Sequence, residues 1–281
     1  MVLVHRVGWD PQLCDRSPWF WPLRAAAAHF AEHKDWPSLQ ALTAAYHTCT
    51  AELGAPALTF SDNVRKGDKR VAGRVVLSAL YDARITLQRE VPTREKNWHD
   101  LLNMLCFATF PRSKLALHAR QYACLAQRID AQSRQLPNRR TPEQDTLTLF
   151  DEGGVVLAVD ADAAQALQRV PIPEREAFSQ ELSAARRLRV VAFGHALYEH
   201  LIEGLRCPGG CTQIIVLDAL WADTPTFLAT LDRALAAHLC APENMLSPVT
   251  CGQIRLAAFD HLQAAAAPHN GTSKLIEPES C

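Results

Sequence analysis

Proline punctuates this chain at roughly the spacing of single helices, and no other feature limits its fold as strongly. The 281 residues include 17 prolines. Each lacks an amide hydrogen, fixes its own φ and disfavours helical backbone in the residue before it. The chain is therefore read as short elements joined by turns. Trp36-Pro37-Ser38 and Gly54-Ala55-Pro56 bracket a helix over Ser38 to Leu53. Val91-Pro92-Thr93 and Phe110-Pro111 bracket another over about Trp98 to Thr109. Asn97 is its expected N-cap, and Asp100 falls in the first turn, where a carboxylate suits the positive helix end.

Further helices are expected at Leu23 to His33, Ser113 to Arg128, Asp162 to Arg169, Glu174 to Gly204 with a break near Val190, and Pro225 to Leu239. Ala57 to Phe60 and Thr212 to Leu217 read as strands, and Val71 to Leu80 fits strand or helix. The polar stretch Asp130 to Gln144 reads as a surface loop. After it, Thr146 to Phe150 and Val155 to Val159 flank Asp151-Glu152-Gly153-Gly154, a pattern that predicts a β-hairpin. The expected class is α+β: a helix-rich single domain with a small antiparallel sheet that includes a hairpin near 146–159. Within it, residues 1–56 are read as a helical arm packed on the body, 57–240 as the core, and 241–281 as a partly disordered tail. Trp19, Trp21 and Trp36 in the arm are read as packing groups, with a partner surface as the alternative.

With 29 basic and 30 acidic residues the chain has no global field to draw it onto nucleic acid or an anionic membrane. The basic cluster Arg65, Lys66, Lys69, Arg70 and Arg74 is interrupted by Asp68 and reads as a solvated face. No apolar run approaches the roughly 20 residues needed to span a bilayer. The nine cysteines are an odd number without scaffold spacing, which favours reduced thiols. The N-terminus lacks the features of an export signal. A soluble, cytoplasmic protein is the expectation, with a small molecule or another protein as partner.

Polar chemistry concentrates in two places. The first is Pro92 to Asn103, where His99 and Asn103 share a helix face and Asp100 and Asn103 are also adjacent. The second is Phe193-Gly194-His195-Ala196-Leu197-Tyr198-Glu199, where His195 and Glu199 lie one turn apart. His99, Asp100 and His195 are the candidate catalytic groups, by acid–base chemistry. Arg94, Asn97, Asn103, Arg112 and Lys114 are candidate ligand-binding residues. His99, His195 and Glu199 form a candidate two-histidine, one-carboxylate set, for which a divalent metal would be the cofactor. The alternative is that Asn97 caps its helix, Trp98 packs and the histidines are satisfied structurally. Cys207 and Cys211 are spaced one residue too far apart for the usual zinc or redox pair, and phosphate-loop and serine-hydrolase motifs are absent.

The stretches Val91 to Asn103, Phe110-Pro111-Arg112-Ser113-Lys114, Leu149-Phe150-Asp151-Glu152 and Phe193 to Leu197, in that order, resemble a proteobacterial family catalogued as domain of unknown function 3025. The resemblance runs from about Ala57 to Leu239. It implies no activity, but it adds Asp151 and Glu152 to the positions of interest. Family members tend to carry a proline- and glycine-rich segment ending in tryptophan near the C-terminus. Leu246 to Gly252 stands in that place here without the tryptophan. The residues alone leave two readings open: a polar small-ligand or metal-assisted hydrolytic pocket built by the Asn97–Asp100 and His195–Glu199 segments, or a non-catalytic module in which the same groups form a buried hydrogen-bond network.

Overall fold

The computed structural model describes residues 8–62, 70–71, 74–129, 133, 135–204, 210–245 and 252–261. The expectations on Arg65 to Lys69, on Cys207, on Leu246 to Cys251 and on the last twenty residues lie outside them. After short 3-10 turns at Leu13–Asp15 and Pro18–Leu23 come a single helical turn, α1 (Arg24–Ala27), and α2 (Leu39–Thr50). Strands β1 (Thr59–Asp62), β2 (Arg70–Val71) and β3 (Arg74–Val75) follow, then α3 (Tyr81–Ala83), which continues as a π-helical turn to Gln88. Next come β4 (Glu90–Thr93), α4 (Trp98–Thr109), α5 (Pro111–Ala126), α6 (Pro142–Gly153), β5 (Gly154–Val159), α7 (Ala161–Arg169) and α8 (Arg175–Ala184). The remaining elements are β6 (Leu188–Ala192), α9 (His195–Ile202), β7 (Gly210–Val216), α10 (Thr224–Cys240) and β8 (Gly252–Ile254).

The helix-rich α+β class holds, but the sheet is mixed rather than antiparallel. Its strand order is β6-β5-β7-β8, with β5 antiparallel to β6 and parallel to β7. Parallel pairing is possible because α7, α8, β6 and α9 all intervene between β5 and β7, a crossover long enough to return the chain in the same direction. The apolar run Gly154-Val-Val-Leu-Ala-Val159 is buried at all six positions, the pattern of a strand covered on both faces. Val155, Leu157 and Val159 join a core with α2, α4, α7 and α9. Val156 and Ala158 alternate into a second core with Leu147 and Phe150 of α6 and Phe227, Leu231 and Leu235 of α10.

The hairpin near 146–159 is not formed, because its first half is helix. Thr141 accepts from the Gln144 amide at 3.1 Å while the Gln144 side chain accepts from the Thr141 amide at 3.0 Å. This reciprocal capping box, with Pro142 at the first helical position, starts α6 inside the stretch read as loop. Gln144, Leu147 and Phe150 then fall on one buried face. The stretch Glu174 to Gly204 is likewise two helices separated by β6, whose Val190-Val191 pair favours strand.

Helix α4 is buried almost all round and forms the centre of the larger core. The N-terminal tryptophans pack against it or beside it. Trp9 and Trp36 lie 5.7 and 4.7 Å, ring to ring, from Trp98, and buried Trp19 donates to the Asp260 carboxylate at 2.7 Å. No described helix is long and apolar enough to cross a membrane.

Candidate functional site

Asn97 begins the site by fixing where α4 starts. Its side chain accepts from the Asp100 amide at 3.0 Å, with Lys96 before it at φ 53° to turn the chain sharply. The Asp100 carboxylate reaches back across this turn and receives the backbone amide of Arg94 at 2.6 Å and its guanidinium nitrogens at 2.7 and 3.0 Å. Arg94 and Asp100 thus neutralise one another and lock the loop, which leaves His99 projecting from the first turn of α4.

His195 comes from the far side. Gly194 crosses so close to the end of α6 that a Cβ there would fall under 3.0 Å from the backbone of Gly154 and Glu152. Only glycine permits this approach, and it brings His195 to the last turn of α6. His195 Nδ1 lies 2.8 Å from the carbonyl oxygen of Asp151, and its Nε2 lies 3.0 Å from His99 Nε2. The two rings are nearly perpendicular, with centroids 4.4 Å apart. His99 Nδ1 in turn lies 3.0 Å from Glu199 Oε2.

These contacts restrict where the protons can lie. A carbonyl only accepts, so His195 carries its proton on Nδ1 and presents a bare Nε2. His99 must therefore donate from Nε2, and it must also donate from Nδ1 to the Glu199 carboxylate. A ring donating from both nitrogens is an imidazolium. The electrostatics agree: the Glu199 hydrogen bond, against the opposing effect of burial, raises the His99 pKa above its usual value. Burial drives His195 the other way, down to about 3 despite Asp151 nearby. The contact between the two rings thus needs one proton, and the opposite directions of the two shifts favour His99 as its carrier.

Asp151 sits at the centre of a buried ionic group. Lys114, fully buried on α5, makes an ion pair with it, and the ammonium also lies 4.8 Å from the centroid of the Phe107 ring. Burial pushes the Asp151 carboxyl up, but Lys114, His118 and His195 together outweigh it and hold it well below the carboxylate range. His118, one turn on from Lys114, places Nδ1 2.9 Å from Asp82 and stacks on Phe107 with centroids 5.5 Å apart.

Above these groups opens a cavity of about 510 Å³. Of the residues singled out from sequence, Arg94, His99, Asp100, Asn103, Asp151, Glu152 and His195 lie on its wall. His99 keeps a third of its side chain exposed and Asp100 about an eighth, so neither is sealed in the core. Asn97 and Lys114 stand behind the wall as supports. Arg112 is used elsewhere: its guanidinium binds the Leu53 carbonyl, and its amide and that of Ser113 donate to buried Asp232, which caps α5 from α10 at 3.1 and 2.8 Å. Glu199 bonds Nδ1 of His99 while His195 faces Nε2, so these three do not converge on one point. Among the described residues no group of three or more His, Cys, Asp or Glu side chains is arranged to hold a metal ion.

Sequence reasoning missed Tyr81, Asp82, His118, Gln121 and Arg128 on the same wall. A signal existed for two of them: Lys114, His118 and Gln121, at spacings of four and three, make one buried polar stripe along α5. Tyr81 and Asp82 carry no local signal.

The protein family of unknown function DUF3025 matches residues 71–252, well over half of the chain. The chain belongs to this family. No curated protein and no solved structure matches it. The match to DUF3025 spans every element that builds the cavity wall, from α3 to α9.

Proposed function

We propose that the cavity binds a polar small molecule and acts on it by proton transfer through the His99–His195 pair, with hydrolysis the first reaction class to test. The observation that carries this reading is the hydrogen-bonded chain Glu199–His99–His195–Asp151 at the edge of a cavity, in which the His99 pKa is raised and the His195 pKa lowered. In this reading His99 is the acid. Its charge is held by Glu199, and its exposed edge lets a substrate acceptor compete with His195 for the Nε2 proton. His195 is the group that receives the proton path when substrate is absent, and its tautomer is set by the Asp151 carbonyl. Such a pair supplies a typical general acid–base contribution of about 10²–10⁴-fold. A network serving only to tie α4 to α9 gains nothing from a half-open imidazolium beside a cavity of this size, because an open cavity lowers packing.

The test is consumption. Wild type, His99→Gln and His195→Gln proteins are incubated with a polar-metabolite extract and followed by mass spectrometry, with metal content measured on the same samples. One or more compounds are expected to change with wild type and not with either variant. No change with wild type, or equal change with all three, overturns the proposal. Stoichiometric metal lost on His99→Gln would replace shared-proton chemistry with metal chemistry.

A further inference from the structure

The cavity wall runs from a buried floor to an exposed rim, and its charges are not spread evenly along that path. His118, Gln121 and His195 are buried, whereas Arg128, Arg139, Arg140 and Glu152 are exposed. Each aspartate on the wall has a basic side chain of its own within hydrogen-bonding reach: Asp100 has Arg94, Asp151 has Lys114, and Asp82 has Nδ1 of His118. The rim is not matched in this way. Among the described residues its three arginines and Glu152 make no ion pair. Three guanidiniums stand there with one carboxylate, an excess of two positive charges.

The rim is held in place by buried polar contacts. Arg128 Nη1 donates to the Arg139 carbonyl at 2.8 Å and to the Gln144 side-chain oxygen at 3.1 Å. Gln144 is buried, and the same oxygen accepts from the Thr141 amide in the capping box of α6. Residues 139–141 are thereby tied to the end of α5. Both acceptors on Arg128 are neutral, so they orient the guanidinium without offsetting its charge. A guanidinium offers a planar fork of donors that meets a carboxylate or a phosphoryl group with two parallel hydrogen bonds. Charges of one sign around a concave wall also focus their field into it, which draws in anions and repels cations.

We propose that the cavity takes a small organic anion, a carboxylate or a phosphate monoester, with its oxyanion at Arg128, Arg139 and Arg140 and its other end directed along the wall toward His99 and His195. A volume of about 510 Å³ suits a molecule of metabolite size. This rests on the reading above in taking the cavity as a ligand site, and it names the substrate class of that site.

Calorimetric titration tests it with the dicarboxylates from malonate to adipate and with glycerol 3-phosphate and glucose 6-phosphate. The matched uncharged probes are the corresponding diamides, glycerol and glucose, and the cationic probe is putrescine. At least one anion is expected to bind wild type, with its uncharged match and putrescine at least about tenfold weaker, the worth of one charge-assisted hydrogen bond. Which of the two anion series binds decides between carboxylate and phosphate. The double variant Arg139→Gln, Arg140→Gln is expected to weaken that anion about tenfold. Arg169→Gln with Arg233→Gln removes the same charge from α7 and α10, which contribute nothing to the wall, and is expected to leave affinity within about twofold, because remote exposed charges are screened. All four arginines are exposed and make no side-chain hydrogen bond among the described residues, so neither double variant threatens the fold. Absence of binding by every anion, equal binding by an uncharged match or by putrescine, or equal weakening in the two double variants overturns the proposal, and the matched-probe comparison on wild type needs no variant. Anion binding by a protein that consumes nothing retires proton-transfer chemistry alone, whereas consumption of an uncharged or cationic compound with no anion bound retires the organic anion alone.

Discussion

Replacing Lys114 with methionine is expected to destabilise the protein by about 3–5 kcal/mol, the usual result of removing one partner from a buried ion pair. Lys114 has no exposed surface, and its ammonium is the closest cation to Asp151. Methionine keeps most of the side-chain volume, so a packing defect adds little. The loss of the contact with Phe107 contributes about 0.5–2 kcal/mol within the total. What remains is a carboxylate on the cavity floor that has lost its nearest cation. The sign with pH follows. In wild type the Asp151 pKa is depressed, so its contribution is present above the unfolded carboxylate value of about 3.9 and is lost as pH falls through the lower folded value. Without Lys114, burial is the largest influence left and raises the Asp151 pKa. The destabilisation is therefore greatest near neutrality and shrinks in acid, as Asp151 takes up a proton. Urea unfolding of Lys114→Met, Asp151→Asn and the double variant at two pH values measures this. The double variant should recover much of the single-variant loss, because no unpaired charge is left. A loss below about 1 kcal/mol for Lys114→Met, or additive losses in the double variant, would refute the reasoning, since it would mean the pair is solvated or not formed.

Two further expectations rest on the same geometry. Glu199 holds a proton on His99, so in wild type the folded pKa of His99 is raised: its stabilisation is fully present below the unfolded histidine value of about 6.5 and is lost as pH rises through the folded value. Nitrogen-resolved NMR of the imidazoles should find His99 doubly protonated near neutral pH and Glu199→Gln should lower its pKa, whereas an unchanged titration would remove Glu199 from this role. Gly194→Ala is expected to cost about 3 kcal/mol, at the upper end for overpacking, because the new methyl group meets backbone rather than a movable side chain. A melting temperature equal to wild type would show that the α6–β5 junction is looser than its contacts require.

How far the fold could be read from the sequence depended on whether the deciding interaction was local. Helix α4 starts where Asn97 can cap it and stops at Phe110-Pro111, both visible within a dozen residues. The strand at 154–159 was equally plain from its unbroken apolar run. Thr146 to Phe150 went the other way, although its own capping box, Thr141 with Gln144, lies only a few residues upstream. The β-prone residues and the Gly-Gly pair drew attention to a turn, while the glycine at 154 serves a different need: there is no room for a side chain where Phe150 turns back over the strand. Parallel pairing of β5 with β7 was out of reach for a stronger reason, since nothing in either strand encodes the direction of a neighbour some fifty residues away.

The site divides along the same line. His99 stands out in the sequence for the polar helix start around it and His195 for a glutamate one turn on, and the fold brings their Nε2 atoms to 3.0 Å. Their roles were not legible, because the role of an imidazole is set by what its second nitrogen touches. Glu199 looked like a third ligand when only its spacing from His195 was known. In the structure it takes the opposite nitrogen of the other histidine, and that one contact raises the His99 pKa. His118 makes the complementary case. Alone in sequence it is an ordinary helix histidine, and its significance comes from its place between two carboxylates, with Nδ1 2.9 Å from Asp82 and Nε2 4.0 Å from Asp151. A residue's chemistry here is thus decided less by its own type than by what the fold has set against each of its two polar atoms.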